Sequence, residues 1–180
     1  NRQILFNTKD IAKFKVVQAK KFLLKVNKKI KIKVYKKKII KKNIHHILNK
    51  YDIICDCSDN FNTRYLLNDF CLKNKKILVS AAISRFEAHI FNFDFTKNIP
   101  CYRCFMPEIP EEENKCDTEG ILPTVAGIAG TLQANEVVKS ILSKKNELVG
   151  KMIVFNTLNL NFRKIILTKN TRCIMGCGKK

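Results

Sequence analysis

Residues 53–79 carry the tightest constraint in this sequence. Ile53-Ile54-Cys55, held between Asp52 and Asp56, and Ile77-Leu78-Val79 are apolar runs of strand length, and residues 60–73 between them place apolar side chains at helical spacing. A continuous short apolar run predicts a strand covered on both faces. Strand, helix and strand in so short a stretch predict a parallel pair joined by a helical crossover. That assigns the chain to the α/β class, with right-handed connections.

The flanking segments extend this order. Residues 10–26 carry Ile11, Phe14, Val17, Ala19, Phe22, Leu23 and Val26 at helical spacing behind Asp10, a cap signal, and predict an amphipathic helix. Ile30-Lys31-Ile32-Lys33-Val34-Tyr35 alternates with period two and predicts a half-buried strand. A short helix is expected over 42–49, and the alternation from Glu87 to Phe95 predicts a strand or hairpin arm. Residues 123–143 predict a long helix in which Gly127 and Gly130 permit close packing, and 151–156 and 162–167 predict closing strands. Residues 96–120, with Pro100, Pro107, Pro110 and the acidic run Glu111-Glu112-Glu113, form a long irregular connection, of a length that carries function or stays mobile. With 46% apolar and 28% charged residues and no repeats, the 180 residues are expected to be one globular domain or most of one. No apolar run approaches the ~18 residues that a membrane-spanning helix needs, and no charged segment leads into an apolar block at the start, so a cytoplasmic location is the default. The first residue is Asn1, which reads as a fragment or a processed chain.

The net charge of +20 is unevenly spread. Residues 1–50 hold seventeen Lys and Arg against the single acid Asp10, a net +16, and the remainder carries +4. Nucleic-acid binding would call for a basic patch set in a recognised recognition module, and none is evident; a zinc-clasped nucleic-acid module is the weaker reading. The lysines form either a solvated face or a landing surface for an acidic partner.

Eight cysteines without a secretory signal point to thiolate chemistry rather than disulfides. Cys101-Tyr-Arg-Cys104 has the spacing that lets two sulfurs of one tight turn take adjacent corners of a zinc tetrahedron. Cys173 and Cys177, with three residues between them, supply a second pair, and the four thiolates are expected to pin the chain end to its middle. Cys55, Cys57 and Cys71 are expected to be buried and inert. Cys116 stands alone among polar residues, either an inert thiol or a nucleophile. In open parallel sheets ligands bind beyond the carboxyl ends of the strands, which draws attention to Asp56-Cys57-Ser58-Asp59-Asn60. There Asp59 is either a magnesium ligand or, the reading that spacing favours, a helix cap. A Gly-rich phosphate loop is absent from these residues.

Several stretches together resemble the ThiF/MoeB/HesA adenylyltransferases, relatives of the ubiquitin-activating enzymes, and most nearly the MoeB and ThiF types. They are Asn1-Arg2-Gln3-Ile4-Leu5-Phe6, Lys13-Phe14-Lys15-Val16, Asp56 through Arg64, Cys101-Tyr102-Arg103-Cys104, Cys116-Asp117-Thr118-Glu119-Gly120, and Gly130 through Glu136. The resemblance implies a single domain over 1–180 with a Rossmann-like nucleotide-binding fold of the ubiquitin-activating type. Its sheet would be mostly parallel, followed by antiparallel strands, with a four-cysteine zinc site; the family's first ~70 residues, with the phosphate loop, are not represented. It further implies a cytoplasmic homodimer that uses ATP and Mg²⁺ to adenylate the C-terminal Gly-Gly of a small ubiquitin-like sulfur-carrier protein, MoaD-like for molybdopterin or ThiS-like for thiamine. Carried over by position, Arg2 and Lys15 would grip the phosphates, Asp59 would hold magnesium and Asn60 would line the same pocket. Cys101, Cys104, Cys173 and Cys177 would hold structural zinc, and Cys116 would be the candidate for covalent sulfur or acyl transfer with a sulfurtransferase or cysteine desulfurase. Residue 14 is Phe where the family commonly has Pro. The alternative within the resemblance is a catalytically silent partner subunit or a decayed fragment.

Overall fold

The computed structural model describes residues 3–109, 120–142 and 146–178, and the chain divides into one unit up to Ile39 and a second from Ile40 onward. Arg2, Cys116 and the acidic run 111–113 lie outside the described residues. None of the described helices is long and apolar enough to cross a membrane.

In the first unit Asp10 does not open the long helix. It closes a reciprocal capping box with Asn7 around a 3-10 turn, Thr8–Asp10, and helix α1 starts later, spanning Lys15–Val26. Ala12, at φ 63°, interrupts the helical path between the two. Phe14 caps α1 at φ −64°, an angle that a proline ring would also impose. The expected strand over 30–35 does not form: Ile32 and Val34 are half-buried and Lys31 and Lys33 exposed, but no ladder is made. The alternation fixes which side chains face inward; a strand also requires a neighbour for its backbone groups, and the described residues offer none.

The second unit is built on a five-stranded sheet in the order β1-β2-β3-β4-β5, with β1 Ile53–Asp56, β2 Ile77–Ser84, β3 Glu87–Asp94, β4 Lys151–Asn156 and β5 Asn161–Ile166. The sheet is mixed. The β1–β2 pair is parallel, in register Asp56 with Ser80, and the other three pairs are antiparallel. Its helices are α2 (Ile44–Leu48), α3 (Phe61–Lys73), α4 (Tyr102–Phe105) and α5 (Pro123–Ile141). Pro123 at the first turn pre-sets the backbone for α5.

Alternation along β3 divides the core. Ala88 and Ile90 pack with Val125 and Ala129 of α5 and with Phe155, and Phe91 points the other way, with ring contacts to Phe93, Tyr102 and Phe105. Phe91, Phe93 and Phe155 are fully buried, each worth about 1.5–3 kcal/mol relative to exposure. The sheet thus has helical cover on both faces, which leaves the end of β1 and the mouth of α3 as the place where polar groups converge.

Candidate functional site

The residues after β1 form a polar loop fixed from several sides. Asp56 is buried, and its carboxylate accepts hydrogen bonds from the Ser58 backbone N–H (2.9 Å), the Ser58 hydroxyl (2.6 Å) and the Ser80 hydroxyl of β2 (2.7 Å). Buried Arg64, on the first turn of α3, faces it with Nε 3.4 Å from Oδ2, an ionic contact rather than a hydrogen bond. Arg64 Nη2 donates to the Ser58 carbonyl (2.9 Å) and the Ala81 carbonyl (3.3 Å). The carboxylate therefore neutralises the guanidinium while both fix the turn between β1 and α3.

That arrangement bears on the cap reading of Asp59. The cap of α3 is Asn60, whose Oδ1 accepts from the Thr63 backbone N–H at 2.9 Å. Asp59 is exposed, with Oδ1 accepting from Asn60 Nδ2 at 3.3 Å, so its carboxylate sits just outside a helix N-terminus without serving as the cap. The partial positive charge of the helix end favours an anion there. Asn60 spends its carbonyl on the cap and offers its amide to Asp59.

Lys15 belongs to the first unit. It is the first residue of α1, a position where a cation is disfavoured by the helix dipole, and its ammonium donates to Gln3 Oε1 at 3.0 Å and lies 5.7 Å from the Phe6 ring centroid. No acid occupies the first turn of α1, so a phosphate arriving there would meet both the ammonium and free helical N–H groups.

The two cysteine pairs come together. The sulfurs of Cys101, Cys104, Cys173 and Cys177 all lie within 4.8 Å of one another, with Cys101 4.0 Å from Cys104 and 3.7 Å from Cys173. Four sulfurs at ~2.3 Å from a tetrahedral zinc stand about 3.8 Å apart, so spacing and donor set both fit zinc. Gly176, at φ 75°, turns the wider Cys173–Cys177 segment back on itself, a conformation that glycine adopts without strain. Burial pushes the Cys101 thiol up, with Cys177, Cys104 and Cys173 adding to it. Burial also acts to raise Cys173, but hydrogen bonds from the Met175 backbone and from the Cys101 and Cys104 thiols outweigh it and hold that group below its usual value.

Helix α3 ties this centre to the loop. Asn68 accepts from the Tyr102 backbone N–H (2.8 Å), and Asp69 forms a bidentate pair with Arg103 (2.8 Å for each bond). The Arg103 guanidinium lies 4.4 Å from the Tyr65 ring centroid, and the Tyr65 hydroxyl reaches the Met106 carbonyl at 2.8 Å. Sequence reasoning passed over Asp56, Arg64 and Gln133 as site residues, although their motifs were in view. The signal was a buried-type acid at a strand end with an arginine eight positions on. Cys71 is buried as expected, but Cys55 and Cys57 are exposed. Cys55 lies in β1 and Cys57 just beyond it, and β1 is the edge strand among the described residues, so an apolar run gave no assurance of cover on this side. Desolvation of the thiols, with Asp56 nearby, raises both, Cys55 to about 11.

Comparison with known proteins agrees with this geometry. Over 181 residues the chain is 40% identical to a protein of Pyropia yezoensis named "Probable molybdopterin-synthase adenylyltransferase", covering 99% of this chain and 47% of that one. It is 33% identical to the "Sulfur carrier protein adenylyltransferase" of Thermus thermophilus, covering 99% of this chain and 68% of that one. It is 35% identical to "Adenylyltransferase and sulfurtransferase MOCS3" of Drosophila persimilis, covering 96% and 39%. The chain thus spans about half the length of most of these relatives. The E. coli MccB crystal structure with AMPCPP and MccA has the same fold, with a TM-score of 0.82, 23% identity, and coverage of 99% of this chain and 55% of that one. The ThiF family model matches residues 1–175, and this chain belongs to the ThiF family.

Proposed function

We propose that this chain is part of an ATP-dependent adenylyltransferase that activates the C-terminal glycine of a small ubiquitin-like sulfur-carrier protein, with a MoaD-like carrier and molybdopterin synthesis favoured by the names of its relatives. The observation that carries this reading is the exposed Asp59 carboxylate beside the α3 N-terminus, left available because Asn60 takes the cap. In the proposed reaction an oxygen of the carrier's terminal carboxylate bonds to the α-phosphorus of ATP, the bond to the β-phosphate breaks, and pyrophosphate leaves. The nucleophile is already ionised, so no general base is required. Arg2 and Lys15 bind the phosphates and offset the charge that builds up during attack. Asp59 would hold magnesium, which would neutralise phosphate charge, and Asn60 orients Asp59.

The four cysteines hold zinc as a structural group. Cys116 is the candidate for a later covalent transfer, with a sulfurtransferase or cysteine desulfurase as the source of sulfur. We read residues 1–180 as one ThiF-type domain of a cytoplasmic homodimer. Exposed Ile128, Val138 and Ile141 on α5 are in keeping with burial against a second copy.

Carrier-dependent ATP–pyrophosphate exchange by the full-length protein tests the reading. Exchange with a MoaD-like carrier, absent when its terminal Gly-Gly is removed, is the expected result. Asp59→Asn and Lys15→Met should each lower it by about 10²-fold or more. Exchange with a ThiS-like carrier alone would move the pathway to thiamine. No exchange from folded protein with either would make this a silent relative. The lysine-rich first 50 residues are expected to attract an acidic carrier, so carrier affinity should fall several-fold as salt shortens the Debye length below about 8 Å. An affinity indifferent to salt would remove that segment from the interface.

A further inference from the structure

Gln133 sits in the middle of α5, is buried (4% exposed), and uses all of its hydrogen-bonding groups on the loop that carries Asp59 or on the strands behind it. Its Nε2 donates to the Asp56 carbonyl (2.9 Å) and to the Val79 carbonyl (2.8 Å). Those two carbonyls belong to the neighbouring parallel strands β1 and β2, so one amide group bridges the pair where β1 ends. Its Oε1 accepts from the Cys57 thiol at 3.3 Å. A side-chain amide has two donor hydrogens and a carbonyl oxygen, and here each has a partner.

We propose that Gln133 is a positioning residue that sets the Asp56–Asn60 loop from the side opposite Arg64 and thereby fixes where Asp59 presents its carboxylate. This rests on the reading of Asp59 as the magnesium ligand. Arg64 holds the loop through the Asp56 side chain and the Ser58 carbonyl; Gln133 holds it through the Asp56 carbonyl and Cys57. The two anchors come from different helices. Gln133 is also where α5 touches the loop through a polar side chain. No smaller or purely accepting side chain makes the same bridge. Glutamate would set a charge against two carbonyls, and methionine keeps the length but has no donor.

The test compares Gln133→Met and Gln133→Glu with Val125→Ala, a packing change at a fully buried position on the same helix, all in the full-length protein. Two quantities are read beside stability: the affinity for Mn²⁺ in the presence of AMPCPP, and the hydrogen exchange of the Ser58 amide, which donates to Asp56 Oδ1. Both Gln133 variants are expected to weaken Mn²⁺ about tenfold, to change metal-free nucleotide affinity by less than about twofold, and to speed Ser58 exchange about tenfold. Val125→Ala should lower the melting temperature without moving either quantity. Unchanged Ser58 exchange in the Gln133 variants, or the same acceleration in Val125→Ala, overturns the proposal. If the unmodified protein binds no Mn²⁺-nucleotide, the adenylyltransferase reading fails, while faster Ser58 exchange in Gln133→Met still upholds the bridge.

Discussion

About one zinc per chain, and a melting temperature lower by about 10 °C or more once it is stripped, is the expected result of metal analysis and chelation. The reason lies in how little else holds residues 168–178. That segment has turns and no regular element, Ile174 in it is 77% exposed, and Cys173 is its buried apolar anchor. A stretch with so little burial does not repay its own conformational entropy, so a cross-link must. Structural zinc contributes ~10–16 kcal/mol in zinc-finger peptides at neutral pH, enough to hold a segment with so little burial of its own. Cys101→Ser and Cys173→Ser, at the buried positions, should each abolish stoichiometric binding and release the C-terminal segment to proteolysis. Metal content well below roughly half an equivalent in folded protein would refute the centre.

Because Asn68 and Asp69 grip the Cys101–Cys104 turn, loosening that turn is also expected to reach α3, whose other end bears Arg64 and the Asn60 cap. The four-cysteine cluster lies away from Asp59 in sequence, yet one helix ties it to the Asp59 loop.

The parts of this design that were legible in the sequence are those governed by short-range patterns. The runs at 53–55 and 77–79 with helical spacing between them determine a parallel pair whatever surrounds it, and α3, α5, β4 and β5 follow from periodicity in the same way. Of the hairpin joining β2 to β3, the second arm was legible from the alternation over 87–95, but the turn and the second half of β2 were hidden. Its turn, Arg85-Phe86, puts Arg85 at φ 48°, where Asn or Gly would have advertised the bend, and small residues Ser80-Ala81-Ala82 disguise the second half of β2. The strand expected at 30–35 shows the converse. Its alternation is real, but pairing depends on a neighbour that no local pattern encodes.

The site divided along similar lines. Four cysteines in two close pairs announce themselves by ligand type, whereas the choice between Asp59 and Asn60 as cap turns on one residue of helix boundary, which spacing does not resolve. Asp56, Arg64 and Gln133 act through burial and long-range contacts, with partners up to 77 positions away, and only the folded chain reveals them.

Arg64→Met is expected to destabilise the protein by about 3–5 kcal/mol, a fall of about 10 °C in melting temperature for a chain of this size, and to do so chiefly through Asp56. Both groups are buried, at 5% and 1% exposure, so removing the guanidinium leaves a desolvated carboxylate whose charge only hydroxyls and one amide oppose. Asp56→Asn alone should also cost stability, by stranding the guanidinium. The double variant Asp56→Asn/Arg64→Met removes both charges, and its loss should fall short of the two single losses added together by about 1–3 kcal/mol, the mark of direct coupling. Denaturant unfolding of the four proteins measures this. Strict additivity with a large Arg64→Met loss would mean that Arg64 stabilises through its bonds to the Ser58 and Ala81 carbonyls and its place 5.7 Å from the Tyr102 ring, and not through the carboxylate, and an Arg64→Met loss below about 1 kcal/mol would refute any large contribution of the guanidinium. Coupling of the expected size instead makes the ion pair what holds the β1–α3 turn closed, so Arg64→Met is expected to displace the Asp56–Asn60 loop that carries Asp59.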